Sequence, residues 1–357
     1  MSNFTPFFPL NVSSHSHHFR HCLYNNVHER KMKKIIAIIY ILTSVLSILG
    51  AGSVIIYSVV KRIVRRPEVH PLFHLALADL LLASLWFSGA CLWFHKQEGN
   101  CFYLDVFAEM AHLATFFLTV NYGLNAFLRL QEKVQNLQFS SASPSKLYVH
   151  LSRMFYGMCW IFPVAVMVPL LFHYDEVHSP GDCTRCLLLF DRPKVKSSLS
   201  KSHSMWQSYG SVALVTTLTF SIVALTLIYF LMLRTHRKAV IYSGVLTDRQ
   251  RASIDAIRNK VFLYVLVFLI CWSPALVVAV CDIDPRVTLS NMHHWPVLFV
   301  MLGLTAPMQG FFNCIVYGWS RKSFRDASGQ RRSLLLDSDE HGSLHNRRES
   351  QGSMRSL

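Results

Sequence analysis

The sequence predicts an all-α integral membrane protein: a seven-transmembrane helix bundle with its N-terminus outside and its C-terminus inside. Three observations carry that prediction. Hydrophobic residues make up 52% of the 357-residue chain and charged residues only 15%, a balance that suits a membrane protein rather than a soluble domain. The apolar residues fall into seven long blocks, each long enough for the roughly 20 residues that a helix needs to cross a bilayer core. No strand-like alternation of barrel type recurs, so helices are the remaining way to span with every backbone group satisfied.

Residues 1–34 form a polar leader with two acceptor sequons, Asn3-Phe4-Thr5 and Asn11-Val12-Ser13, both open to glycosylation if the leader is outside. The leader also holds His15, His17, His18, His21, His28 and Cys22. These residues suit either a metal-binding tail or a solvated disordered one.

The spanning blocks follow in order. They are 35–60, 71–94 with Asp79 inside, and 102–128 with Asp105 and Glu109 in its first turns. Then come 154–172, 205–233, 261–280 and 295–319, so the bundle occupies 35–319. The sixth block contains Cys271-Trp272-Ser273-Pro274. Its proline removes a backbone donor and crowds the preceding turn, so a kink is expected near Ser273. The connections are short except 173–204 and 234–260.

Seven is odd, so the two ends of the chain lie on opposite faces. The C-terminal face carries 23 of the 35 Lys and Arg and the other face 12, which places the tail inside. The cluster Arg30, Lys31, Lys33 and Lys34 opposes this, and Lys61, Arg62, Arg65 and Arg66 at the other end of the first block roughly cancel it. The formal charge of +15 does not point to nucleic acid, because the basic residues sit beside the apolar blocks.

Cys101 starts the third helix on the outer, oxidising face, where a disulfide to Cys183 or Cys186 is expected. Sequence leaves both partners open. Cys183 and Cys186 have no second ligand pair at zinc-site spacing, and no metal is expected. After the seventh block, residues 320–325 (Ser-Arg-Lys-Ser-Phe-Arg) suit a short helix on the inner leaflet. The rest of 320–357 is a disordered Ser- and Arg-rich tail, in which Arg331-Arg332-Ser333 and Arg347-Arg348-Glu349-Ser350 resemble basophilic kinase sites.

Seven helices, the bridge at Cys101, Leu77-Ala78-Asp79-Leu80, Cys271-Trp272-Ser273-Pro274 and Asn313-Cys314-Ile315-Val316-Tyr317 together resemble a G-protein-coupled receptor. The resemblance is to rhodopsin-like receptors, with an Asn-x-x-x-Tyr-Gly ending similar to cyclic-AMP-type receptors. The stretch 71–79 is most similar to the transmembrane protein 116 group. The resemblance implies that Asp79 lines a water and sodium cavity and that Trp272 is a rotamer switch. Asn313 and Tyr317 would join an inner activation network.

This chain departs from the pattern in three places. Cys314 stands where the family has proline, Ser53 where it has asparagine, and the acid-Arg-Tyr triplet is absent. Arg129, flanked by Leu128 and Leu130, is the one arginine near that position. The seventh helix has no lysine for a retinal Schiff base, and no cofactor is expected.

Asp105, Glu109 and His112 share one face of the third helix, where an outer pocket would open. They suit a cationic or hydrogen-bonding ligand, or else a solvated helix end paired with Arg185. Asn121 and Asn125 lie deeper on the opposite face and suit helix–helix hydrogen bonds. An acid within a membrane helix is costly, so Asp79 needs a partner, and Asn313 is the best donor.

The expected ligand-binding residues are therefore Asp105, Glu109, His112 and Trp272. The expected activation network is Asp79, Trp272, Pro274, Asn313, Tyr317 and Arg129. The function expected is a plasma-membrane receptor, not an enzyme, in contact with lipid and an unknown ligand. Its inner partner would be a heterotrimeric G protein or arrestin. A transporter or channel is the alternative, opposed by the lack of an internal repeat.

Overall fold

A computed structural model of the chain describes residues 27–64, 69–95, 101–138, 146–172, 186–187, 201–241, 248–283 and 295–318. The regular elements among them are all helical. They are α1 (Val27–Val60), α2 (His70–His95), α3 (Cys101–Gln138), α4 (Lys146–Phe172), α5 (Lys201–Ile241) and α6 (Asp248–Ile283). α7 (Trp295–Thr305) passes through a 3₁₀ turn, Ala306–Met308, and resumes as helix over 309–318. Each of the seven has a span long and apolar enough to cross a membrane.

The helices reach further than the apolar blocks. α1 begins at Val27, inside the segment read as leader, and α5 and α6 leave only 242–247 of the expected 234–260 connection between them. A helix need not stop at the bilayer surface. Its charged last turns are solvated there, and hydropathy marks only the buried part. The sequons at Asn3 and Asn11, His15, His17, His18, His21, Cys22, Cys183, Arg185 and the tail from 319 lie outside the described residues, whereas His28 lies in the first turn of α1.

Local chemistry accounts for several helix ends. α1 closes with Ile63 N–H donating to Ser58 C=O at 3.0 Å and Arg62 N–H donating to Val59 C=O at 2.9 Å. Those are the 6→1 and 5→2 bonds of a Schellman motif. Arg62 occupies the left-handed position, φ 51°, that glycine usually fills. α2 opens with Pro71 in its first turn, where a missing N–H costs nothing. α6 runs without a break through Pro274, and α4 runs through Pro163 and Pro169.

α3 is the central helix, packed against α2, α4, α5 and α6, while α1 bridges α2 and α7. The surface is apolar, as a lipid-facing one should be. Leu42, Leu49 and Ile56 recur every seventh residue on α1 and are all exposed. The inward face of α1 carries Tyr40, Thr43, Ser44, Ser47, Ala51 and Val54, small or polar groups that let helices approach closely.

The α1–α7 contact is the tightest of these approaches. A Cβ added at Gly50 would lie 2.7 Å from Phe311 Cα, and one at Gly310 would lie 2.6 Å from Ser47 Oγ and 3.1 Å from Asp79 Cβ. The first clash is with backbone, which has no rotamer to yield. Gly50→Ala is therefore expected to lower stability by about 1–3 kcal/mol, the usual range for overpacking. A thermal midpoint in lipid nanodiscs checks this, with Gly52→Ala as the control because nothing lies within 4 Å of its added Cβ.

Candidate functional site

The disulfide closes between Cys101 and Cys186, with 4.7 Å between their Cα atoms, which resolves the choice that sequence left open. It ties the connection between α4 and α5 to the start of α3 and marks one end of the bundle. From that end the polar face of α3 descends. Asp105 is half-buried, whereas Glu109 and His112 are 3% and 1% exposed. The two side chains therefore face the interior and not lipid. Glu109 Oε2 lies 3.6 Å from His112 Nδ1. Neither His112 ring nitrogen has a hydrogen bond among the described residues.

The His112 ring sits in a box of aromatic rings. Its centroid is 5.8 Å from Trp86 on α2, 5.2 Å from Trp272 on α6 and 6.4 Å from Phe116 one turn along α3. Phe116 in turn meets Trp272 edge-on at 4.6 Å and Phe268 at 5.6 Å, and Tyr40 meets Trp86 at 4.6 Å. Such edge-to-face pairs place a positive ring edge on a negative face and add specificity beyond apolar packing. The walls of this region are thus α2, α3 and α6, closed by α1.

Trp272 is fully buried, and its Nε1–H donates to Gln309 Oε1 on α7. Gln309 follows the 3₁₀ turn at Ala306–Met308, and that turn breaks α7 well before Asn313. Thr305, on the near side of the turn, donates to the Cys271 carbonyl at 3.2 Å, in the turn of α6 that precedes Pro274. The turn of α6 before Pro274 and the 3₁₀ turn of α7 therefore lie side by side, joined by the side chains of Trp272 and Thr305. Cys314 occupies the position of the family's α7 proline, and the α7 irregularity lies instead at Pro307.

One turn beyond Gln309, Asn313 Nδ2 donates to Asp79 Oδ2 at 2.7 Å. Tyr264 of α6 reaches the Asn313 carbonyl with its hydroxyl at 3.4 Å, and its ring lies 4.5 Å from Tyr122 on α3. Asp79 Oδ1 and Ser47 Oγ, whose side chains both border Gly310, are buried with no hydrogen bond among the described residues. A set of buried polar atoms of this kind is a place where water or an ion would be held.

The two α1 and α7 departures from the receptor pattern also touch each other. Ser53 Oγ lies 3.3 Å from Cys314 Sγ and donates to Gly50 C=O at 2.7 Å. The thiol is then the donor to the hydroxyl, and the pair joins α1 to α7 where the family uses an asparagine.

The remaining expected residues are less connected. Tyr317 lies under the Lys260 ammonium of α6, at 5.7 Å, and no described bond joins it to Asp79. Arg129 is half-buried and makes no hydrogen bond or ion pair with a described residue. Asn125 Nδ2 donates to the Asn121 backbone and side-chain oxygens, both at 2.8 Å, so this amide bond lies within α3 and does not join two helices.

Sequence reasoning passed over Gln309, Tyr264, Trp86 and Phe116. It also passed over Trp160, whose Nε1–H donates to His74 Nδ1 at 3.4 Å and joins α4 to α2. Gln309 was discoverable, being a second amide four residues before Asn313 and so on the same helix face.

These features define a multi-pass membrane protein of receptor-like type: seven spanning helices, a disulfide-capped end, and a polar and aromatic interior that continues to the far half of the bundle. The chain belongs to the transmembrane protein 116 family, whose pattern matches residues 33–345. It is also similar to the G-protein coupled receptor 157 of Rattus norvegicus, at 25% identity over 294 residues, covering 78% of this chain and 80% of that protein.

Proposed function

We propose that this protein is a plasma-membrane receptor that passes a ligand signal from its disulfide-capped end to a partner at the opposite face. The observation that carries the reading is one run of contacts. It leads from Glu109 and His112 through Trp272 to Gln309, and one helical turn further to Asn313 and Asp79. The ligand class is a small cationic or hydrogen-bonding molecule, received by Asp105, Glu109 and His112 against the Trp272 ring. Binding that repacks Trp272 shifts the balance between two arrangements of α6 and α7.

Asp79, Asn313, Pro274 and Tyr317 carry that shift toward the far end, where Arg129 lies near the partner surface. The similarity to a relative named as a G-protein coupled receptor favours a heterotrimeric G protein, with arrestin as a second partner. The disulfide end is the outer, oxidising side, with Asn3 and Asn11 glycosylated there.

The test is a cell assay of basal signalling in which each G-protein family and arrestin are probed separately, with the orientation read from glycosidase sensitivity. The expected result is recruitment of at least one class above the level of a signalling-dead seven-helix control. No recruitment of any class, at verified surface expression, overturns the reading.

A further inference from the structure

α5 and α6 run alongside each other to the end of the bundle opposite the disulfide. Three polar side chains meet there. His236 Nε2 of α5 lies 2.7 Å from Asp255 Oδ1 of α6. Arg258 Nη1 lies 3.1 Å from that ring's Nε2 and 3.5 Å from its Nδ1, and Arg258 Nη2 lies 3.6 Å from Asp255 Oδ1.

One ring nitrogen cannot donate to the carboxylate and accept from the guanidinium at once. A neutral ring with its proton on Nε2 resolves this. Nε2–H donates to Asp255, Nδ1 accepts from Arg258, and the two α6 charges attract each other at i, i+3 spacing. Arg258 is held from its other side by Asn259 Oδ1, at 3.3 Å from Nε and 3.2 Å from Nη2.

The burial of the cluster sets its strength. His236 is 12% exposed, Arg258 31% and Asp255 42%, so water reaches the acid and screens the pair. A fully buried ion pair would be a permanent staple, whereas a screened one opens readily. About two turns of helix nearer the bundle centre, Tyr229 of α5 and Phe262 of α6 meet with ring centroids 5.6 Å apart. On α6's other side, Lys260 rests over Tyr317 of α7.

We propose that His236, Asp255 and Arg258 form a reversible latch that ties α6 to α5 at the far end of the bundle and sets its resting arrangement. The latch is independent of the ligand reading, since it holds the same two helices whether the bundle is a receptor or a transporter.

The test uses the full chain in lipid nanodiscs with a genetically encoded trifluoromethylphenylalanine at Phe262. Its fluorine resonance shifts when the Tyr229 ring moves away, so the populations of closed and open ends are read directly, without ligand or partner. Asp255→Ala and His236→Phe are each expected to raise the open population about two- to fivefold, the range for a partly exposed pair. The double variant should do no more than either single one, and His236→Gln, whose amide keeps a donor for Asp255 and an acceptor for Arg258, should return to the wild-type spectrum. His236→Phe keeps the ring volume and carries the test if Asp255→Ala fails to fold. Wild-type populations in the His236→Phe protein, or effects that simply add in the double variant, overturn the proposal.

Discussion

Asn313→Ala is expected to destabilise the bundle by about 1–3 kcal/mol, the penalty for leaving a buried acceptor without its donor. Asp79 is 2% exposed and its Oδ2 accepts from Asn313 Nδ2, while Oδ1 has no hydrogen bond among the described residues. Removing the amide leaves the whole carboxyl group without a side-chain donor at membrane depth, where no bulk water compensates.

Asp79→Asn behaves differently. Its new carbonyl oxygen still accepts from Asn313, so the fold survives while the ionisable carboxyl group is lost. The exchanged pair, Asp79→Asn with Asn313→Asp, should recover most of what Asn313→Ala loses, because the same two groups face each other again. Thermal midpoints of the three variants in nanodiscs check this. An exchanged pair no more stable than Asn313→Ala would show that the site demands the acid on α2 for another reason.

The second large effect is expected at Trp272. Trp272→Ala removes an indole with no exposed surface and leaves a cavity against His112 and Phe116, which costs about 3–5 kcal/mol. The hydrogen bond to Gln309 is separable from that packing. Gln309→Met keeps most of the volume but leaves the indole N–H buried without an acceptor, at about 1–3 kcal/mol. The ring is then held by packing alone and is freer to repack, so Gln309→Met should also change basal signalling. Comparing the two variants by thermal midpoint and by signalling per surface molecule separates loss of structure from loss of restraint. A Gln309→Met protein with unchanged midpoint and unchanged signalling would show that the bond contributes nothing to either.

The seven spans were legible because a bilayer imposes a length and composition that few other structures share. Helix ends were not, since the charged turns of α5 and α6 outside the bilayer carry no hydropathy signal, and a 27-residue loop was expected where two helices continue. The bond between Asp79 and Asn313 was legible from cost alone. An acid at that depth must find a donor, and α7 has few.

The seam between α6 and α7 was only half legible. Pro274 was read as a kink, whereas Pro307, which sits in the 3₁₀ turn presenting Gln309 to Trp272, was not weighed. Ser53 and Cys314 each looked like a separate departure from the receptor pattern. Their contact is invisible in one dimension because 261 residues separate them. His236 and Asp255 were hidden for a simpler reason: both fell in the stretch read as a loop, where no helix face could be assigned.

We propose that Asp79 and Trp272 belong to one switch, and a single comparison separates that role from packing alone. Wild type, Asp79→Asn and Trp272→Ala are expressed at matched surface levels, and basal and partner-stimulated signalling are measured for each. The account predicts three different levels, with Asp79→Asn altering the balance of states in a folded protein and Trp272→Ala weakening the link from the His112 region to α7. Three equal responses, with partner recruitment clearly measurable in the wild type, would contradict it and leave both residues as parts of the packing alone.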